Sequence, residues 1–212
     1  MSSAARRIHR PATRADLDDL PENVVGEIIE GVLYTFPRPR AAHANVETSI
    51  AGDIQYPFQR GRGGPGGWWI LIEPGIELPG SPEVVPDVAG WRKQRLPELP
   101  LDRPIDVVPD WVCEVLSPTT RAYDLRVKRP FYARIGVPYI WFIDFDARTL
   151  MVSKLVEGRW LELGVYGESD KVRAEPFDAV EIDLGEWWPP VAKKPRTRAK
   201  KPRTQTRRKR RR

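Results

Sequence analysis

A chain of 212 residues with 41% hydrophobic content has room for one domain with a sizeable core plus appendages. Its net charge of +6 is unevenly divided, because residues 191–212 carry 13 Lys and Arg and no acid, leaving 22 bases against 29 acids in the rest, a net of −7. The single cysteine, Cys113, excludes an internal disulfide or a cysteine-cluster metal site, and no run is apolar enough for a signal peptide or a membrane span, so a soluble cytoplasmic protein is expected.

Thr13 with Asp16 resembles a capping box opening a short helix to about Leu20, which Pro21 ends. GEIIEGVLYTF reads as an N-terminal hairpin turning at Glu30-Gly31. From Ala41 to about Phe58, Val46, Ile50 and Ile54 recur every four residues, predicting an amphipathic helix with His43 one turn before the stripe. The loop GRGGPGG follows, then three strand candidates: WWILIEPGIEL, VVPDVAGW and DWVCEVL. A helix is expected from about Arg121 to Ile135, kinked by Pro130, then the buried strand VPYIWFID. TLMVSKL and RWLEL, joined at Glu157-Gly158, form a C-terminal hairpin. The fold class is α/β, a mixed β-sheet flanked by helices. Residues 1–12 are expected to be flexible, 13–188 to form the domain and 189–212 to be a disordered basic tail, since too few apolar side chains there offset the entropy of ordering.

Strand alternation places Glu114 on one face with Val112 and Leu116, and Trp111, Cys113 and Val115 on the other. A carboxylate within an apolar strand needs a partner, and Asp87 within VVPDVA poses the same question. Two such acids suit a divalent cation, Mg²⁺ or Mn²⁺, although acids at strand ends satisfied by backbone or arginine partners give the same pattern. Asp124, Lys128 and Tyr132 fall on one helical stripe, so Lys128 either reaches back over the carboxylates or pairs with Asp124 on a solvated face. His43, Glu27 and Glu73 are further pocket candidates. Trp91, Trp111, Trp141 and Cys113 read as core.

Together, GEIIEG, His43 at the helix start, Pro86-Asp87, CEVLSP and the run Asp124, Lys128, Tyr132, Gly136, Val137 before YIWFID resemble the Uma2 family of restriction-endonuclease-like proteins, a branch of the PD-(D/E)XK nuclease superfamily, over roughly residues 13 to 188. The resemblance implies a metal-dependent endonuclease hydrolysing DNA phosphodiester bonds, with Asp87 and Glu114 as metal ligands and Lys128 as the catalytic lysine. Leu116 stands where the superfamily's plain pattern has lysine, and the resemblance implies that Lys128 on the helix replaces it. The alternative is a non-catalytic nucleic-acid-binding module with a degenerate nuclease fold. Either way, nucleic acid, DNA first, is the expected partner, with the basic tail on its phosphates and no membrane; a homodimer suits an enzyme that cuts two strands.

Overall fold

The computed structural model describes residues 10–188; the expectations for the first nine residues and for the basic tail at 189–212 lie outside the described residues. Helix α1 (Arg14–Asp18) opens with the capping pair, Thr13 N donating to Asp16 Oδ2 at 2.7 Å. Packing begins slightly before it: Ala12 is buried and its N–H donates to Gly31 O at 2.8 Å. Strands β1 (Val24–Ile29) and β2 (Val32–Pro37) pair antiparallel through Glu30 and Gly31, whose φ angles of 51° and 76° are the left-handed pair that a two-residue hairpin turn requires. Helix α2 (Ala41–Ile54) follows, extended by a π turn at Gln55–Gln59.

The next two expected strands each divide in two. WWILIEPGIEL forms β3 (Trp68–Ile72) and β4 (Ile76–Leu78), which lie in different sheets. Glu73, at φ 45°, and Pro74 turn the chain between them. VVPDVAGW spans the end of β5 (Ser81–Val84) and β6 (Val88–Arg92), because Pro86 lacks the N–H that a continuing ladder needs. Asp87 is therefore not inside a strand; it stands in the break just before β6. The resulting small sheet, ordered β2-β1-β5-β4, is not legible as a unit from the alternation alone.

The main sheet is ordered β10-β9-β8-β7-β6-β3, with β7 (Trp111–Leu116), β8 (Tyr139–Asp144), β9 (Thr149–Val156) and β10 (Arg159–Tyr166). Only β7 and β8 run parallel in it, with Glu114 opposite Phe142. A parallel pair needs a crossover, supplied by α3 (Arg121–Tyr123), a π turn (Asp124–Lys128) and α4 (Arg129–Arg134). The kink expected at Pro130 takes the form of that π turn: Arg129 N–H donates to Asp124 O five residues back, and Pro130 falls in the first turn of α4, where a missing donor is tolerated. The short pair β11 (Lys171–Val172) and β12 (Ile182–Asp183) and a 3₁₀ turn close the described chain.

Each face of the main sheet has its own core. Trp111, Cys113, Val115 and Trp141 pack with Val46, Ile50 and Ile54 of α2. Val112, Leu116, Trp91 and Phe142 pack with Phe131 and Tyr132 of the crossover and with Ile29 and Phe36 of the small sheet. Trp91, Trp111, Trp141 and Cys113 are all fully buried. No helix among the described residues is long and apolar enough to cross a membrane.

Candidate functional site

Strand β7 alternates as its sequence dictates, so Glu114 enters the crossover-side core and is 1% exposed. Its carboxylate is satisfied by two side chains of the crossover: Lys128 Nζ donates to Oε2 at 3.0 Å and Tyr132 OH to Oε1 at 2.7 Å. The stripe of Asp124, Lys128 and Tyr132 thus faces inward, and all three are buried. Lys128 also donates to Val85 O at 2.8 Å and meets Glu27 Oε1 at 3.2 Å, so its ammonium has three acceptors, on β7, on β1 and on the link between β5 and β6. Glu27 comes from β1, and its other oxygen accepts from Val85 N at 3.1 Å. Lys128 is therefore placed on Glu114 from the crossover.

Asp87 stands at the edge between the two cores. The register Val88 opposite Cys113 carries Asp87 to the level of Glu114, and Asp87 Oδ2 accepts from Val115 N at 2.5 Å, in place of a ladder carbonyl. Its Oδ1 turns the other way, 3.3 Å from His43 Nε2. His43 Nε2 lies 2.7 Å from Glu47 Oε1, one helical turn further along α2. Neither contact has hydrogen-bond geometry: His43 Nε2 and Glu47 Oε1 are buried polar atoms without a hydrogen-bond partner. One donor atom from each of His43, Glu47 and Asp87 lies within 4.8 Å of the others, a grouping that fits a metal ion. Glu114 is not in that group; Asp87 is the residue the two clusters have in common.

The charges of these groups act on one another. Burial pushes the Glu114 carboxyl well above its ordinary range, opposed by Lys128 and reinforced by Asp87. Burial disfavours the Lys128 ammonium, yet Glu114 and Glu27 outweigh it and hold its pKa well above the usual lysine value. Burial raises Asp124 to about 7 against the pull of Lys128. Burial acts to lower His43, but the Asp87 and Glu47 carboxylates prevail and raise it to about 10. At Asp87 burial acts upward, but the close approach and charge of His43, with Lys128 and Val115 N, overcome it and keep the group ionised.

A cavity of about 720 Å³ opens over this region, lined by Glu27, His43, Asp87, Asp124 and Lys128, with the exposed Arg38 and Arg40 among its walls. Glu73 also lines it, exposed and on the turn after β3. Asp87, Glu114 and Lys128 are all in or beside this cavity, as are His43, Glu27 and Glu73. Glu47 escapes a reading of the sequence because an acid on a helix looks like a solvated group; the available signal is its position four residues after His43, beside Val46 and Ile50.

The profile of the Uma2 family, described as "Putative restriction endonuclease", matches residues 14–185. The chain belongs to the Uma2 family. No curated protein matches this Uma2 chain. Among solved structures, it is similar to a crystal structure described as a "putative nuclease belonging to DUF820" from Anabaena variabilis, with 20% identity and a TM-score of 0.63 over 84% of this chain and 98% of the other. That likeness shows the fold: the mixed α/β architecture of this Uma2 chain is nuclease-like.

Proposed function

We propose that this Uma2 chain is a divalent-metal-dependent endonuclease that hydrolyses phosphodiester bonds in DNA. Family membership supports a nuclease role. The observation that carries the metal-dependent reading is electrostatic: Glu27, Asp87 and Asp124 line an open cavity, Glu114 and Glu47 are buried beside them, and the cations that meet these carboxylates are Lys128 and His43, with Arg38 and Arg40 on the outer walls. A phosphodiester anion is repelled from such a cavity unless an ion neutralises it, and buried carboxylates are costly without compensation. The hard oxygens of Asp87, with the unpartnered His43 Nε2 and Glu47 Oε1 beside it, fit a divalent cation.

In this proposal Asp87 and Glu114 hold the ion, Mg²⁺ or Mn²⁺, which when bound neutralises phosphate charge and lowers the pKa of a bound water. Lys128, fixed by Glu114, Glu27 and Val85 O, supplies the ammonium that stabilises developing charge on the phosphoryl oxygens. Arg38 and Arg40 offer exposed guanidinium groups for flanking phosphates. The basic residues at 191–212 tether the cytoplasmic enzyme to the polyanion without selecting sequence.

The test is cleavage of supercoiled, linear and single-stranded DNA with Mg²⁺ or Mn²⁺ by the wild type, Asp87→Asn and Glu114→Gln. Cleavage that needs the metal and is lost in both variants is expected. Cation-independent binding of DNA without cleavage would instead favour the binding-module reading. Deleting residues 191–212 should flatten the log-log salt dependence of DNA binding, by about 0.9 for each phosphate that the tail neutralises.

A further inference from the structure

Helix α2 brings to the cavity a pair of side chains that the Asp87, Glu114 and Lys128 scheme leaves unused. His43 and Glu47 lie on successive turns, anchored by Val46, Ile50 and Ile54 in the core beneath. Glu47 is 3% exposed and His43 9%, so neither is satisfied by bulk water. An imidazole nitrogen set 2.7 Å and 3.3 Å from two carboxylate oxygens, aligned with neither, is a poor hydrogen-bonding arrangement. It is a good arrangement of ligands: donor atoms sharing an ion at about 2.1 Å in adjacent octahedral positions stand roughly 3 Å apart. Once the imidazole has released its proton to solvent, as a metal ligand must, it and two carboxylates also balance the charge of one divalent ion.

We infer that His43 Nε2, Glu47 Oε1 and Asp87 Oδ1 form a cation subsite whose nitrogen donor selects Mn²⁺ over Mg²⁺; its part in catalysis rests on the hydrolytic reading above. Mg²⁺ is a hard ion that takes oxygen donors and releases water reluctantly, whereas imidazole suits first-row transition ions. Asp87 then serves both clusters, its Oδ1 toward α2 and its Oδ2 on the main chain of β7 beside Glu114. These three donors lie on the α2 side of Asp87, so an ion held there would leave the hydrogen bond of Lys128 to Glu114 undisturbed.

The experiment titrates the full chain separately with Mn²⁺ and Mg²⁺ by calorimetry and records pulsed electron paramagnetic resonance of the bound Mn²⁺. Mn²⁺ affinity about tenfold or more above that of Mg²⁺ is expected. So is a nitrogen coupling to Mn²⁺ that changes when histidine is ¹⁵N-labelled and disappears in His43→Gln. Only His9 offers a second histidine, and His9→Ala should retain the coupling. Glu47→Gln should weaken Mn²⁺ binding by about tenfold. Because the labelled wild type carries the readout, a variant that fails to fold leaves the test intact. Equal affinity for the two ions, no Mn²⁺ uptake, or bound Mn²⁺ without nitrogen coupling overturns the subsite. DNA cleavage with uncoupled metal overturns the subsite alone, whereas nitrogen-coupled Mn²⁺ in a protein that cleaves no DNA form supports it and removes the hydrolytic reading.

Discussion

On either side of Asp87 lies a buried ionic cluster, and the two differ in how completely their polar atoms are matched. On the crossover side, Glu114, Glu27, Lys128 and Tyr132 close a network in which the ammonium has three acceptors and both Glu114 oxygens have donors. On the α2 side, two carboxylates face one imidazole and atoms remain unmatched. The difference teaches that buried charge is not one category. The first cluster already holds its own amine in place; the second is under-coordinated and keeps donor atoms unmatched.

The sharpest way to break that contrast is Lys128→Met, which strands Glu114 and Glu27 in the core. A loss of about 3–5 kcal/mol in unfolding free energy is expected by urea denaturation, largely restored when Glu114→Gln is added. A loss under about 1 kcal/mol would show that the network is not the matched cluster described.

Asp124 gives a smaller effect with a definite sign. Its folded pKa of about 7 lies above the ordinary aspartate value of 3.8, so its favourable contribution is complete below the lower value and is lost as pH rises through the higher one. Asp124→Asn should therefore stabilise the cation-free protein at pH 8, by about 2 kcal/mol, and do little at pH 4. Equal effects at both pH values would place the charge of Asp124 outside the cluster. The smallest change is Tyr132→Phe, which removes one donor from Glu114 while Lys128 stays; about 1–2 kcal/mol of destabilisation is expected from thermal unfolding.

Much of this arrangement is legible in the sequence where a local rule operates alone. Alternation in WVCEVL places Glu114 on the correct face, and helical spacing from Asp124 through Lys128 to Tyr132 identifies the stripe that meets it. Where two rules compete, the sequence misleads. Apolar β-formers on both sides of Glu73-Pro74 read as one strand, although the turn sends them to different sheets. Pro130 reads as a kink, and only the form of that kink, a π turn at Asp124–Lys128, is hidden, because it depends on the surrounding packing and not on a residue type. Glu47 is invisible for a third reason: its burial follows from α2 lying against the main sheet near Asp87, a contact between segments far apart in the chain.

The hydrogen bond from Val115 N to Asp87 makes this carboxylate a rung of the sheet as well as a chemical group. Truncating it to alanine would remove negative charge and unfasten the end of β6 from β7 in one stroke, so a dead alanine variant could not tell a lost reagent from a frayed scaffold. Asparagine keeps an acceptor for Val115 N and removes only the charge, which separates architecture from reactivity at a position where one side chain serves both.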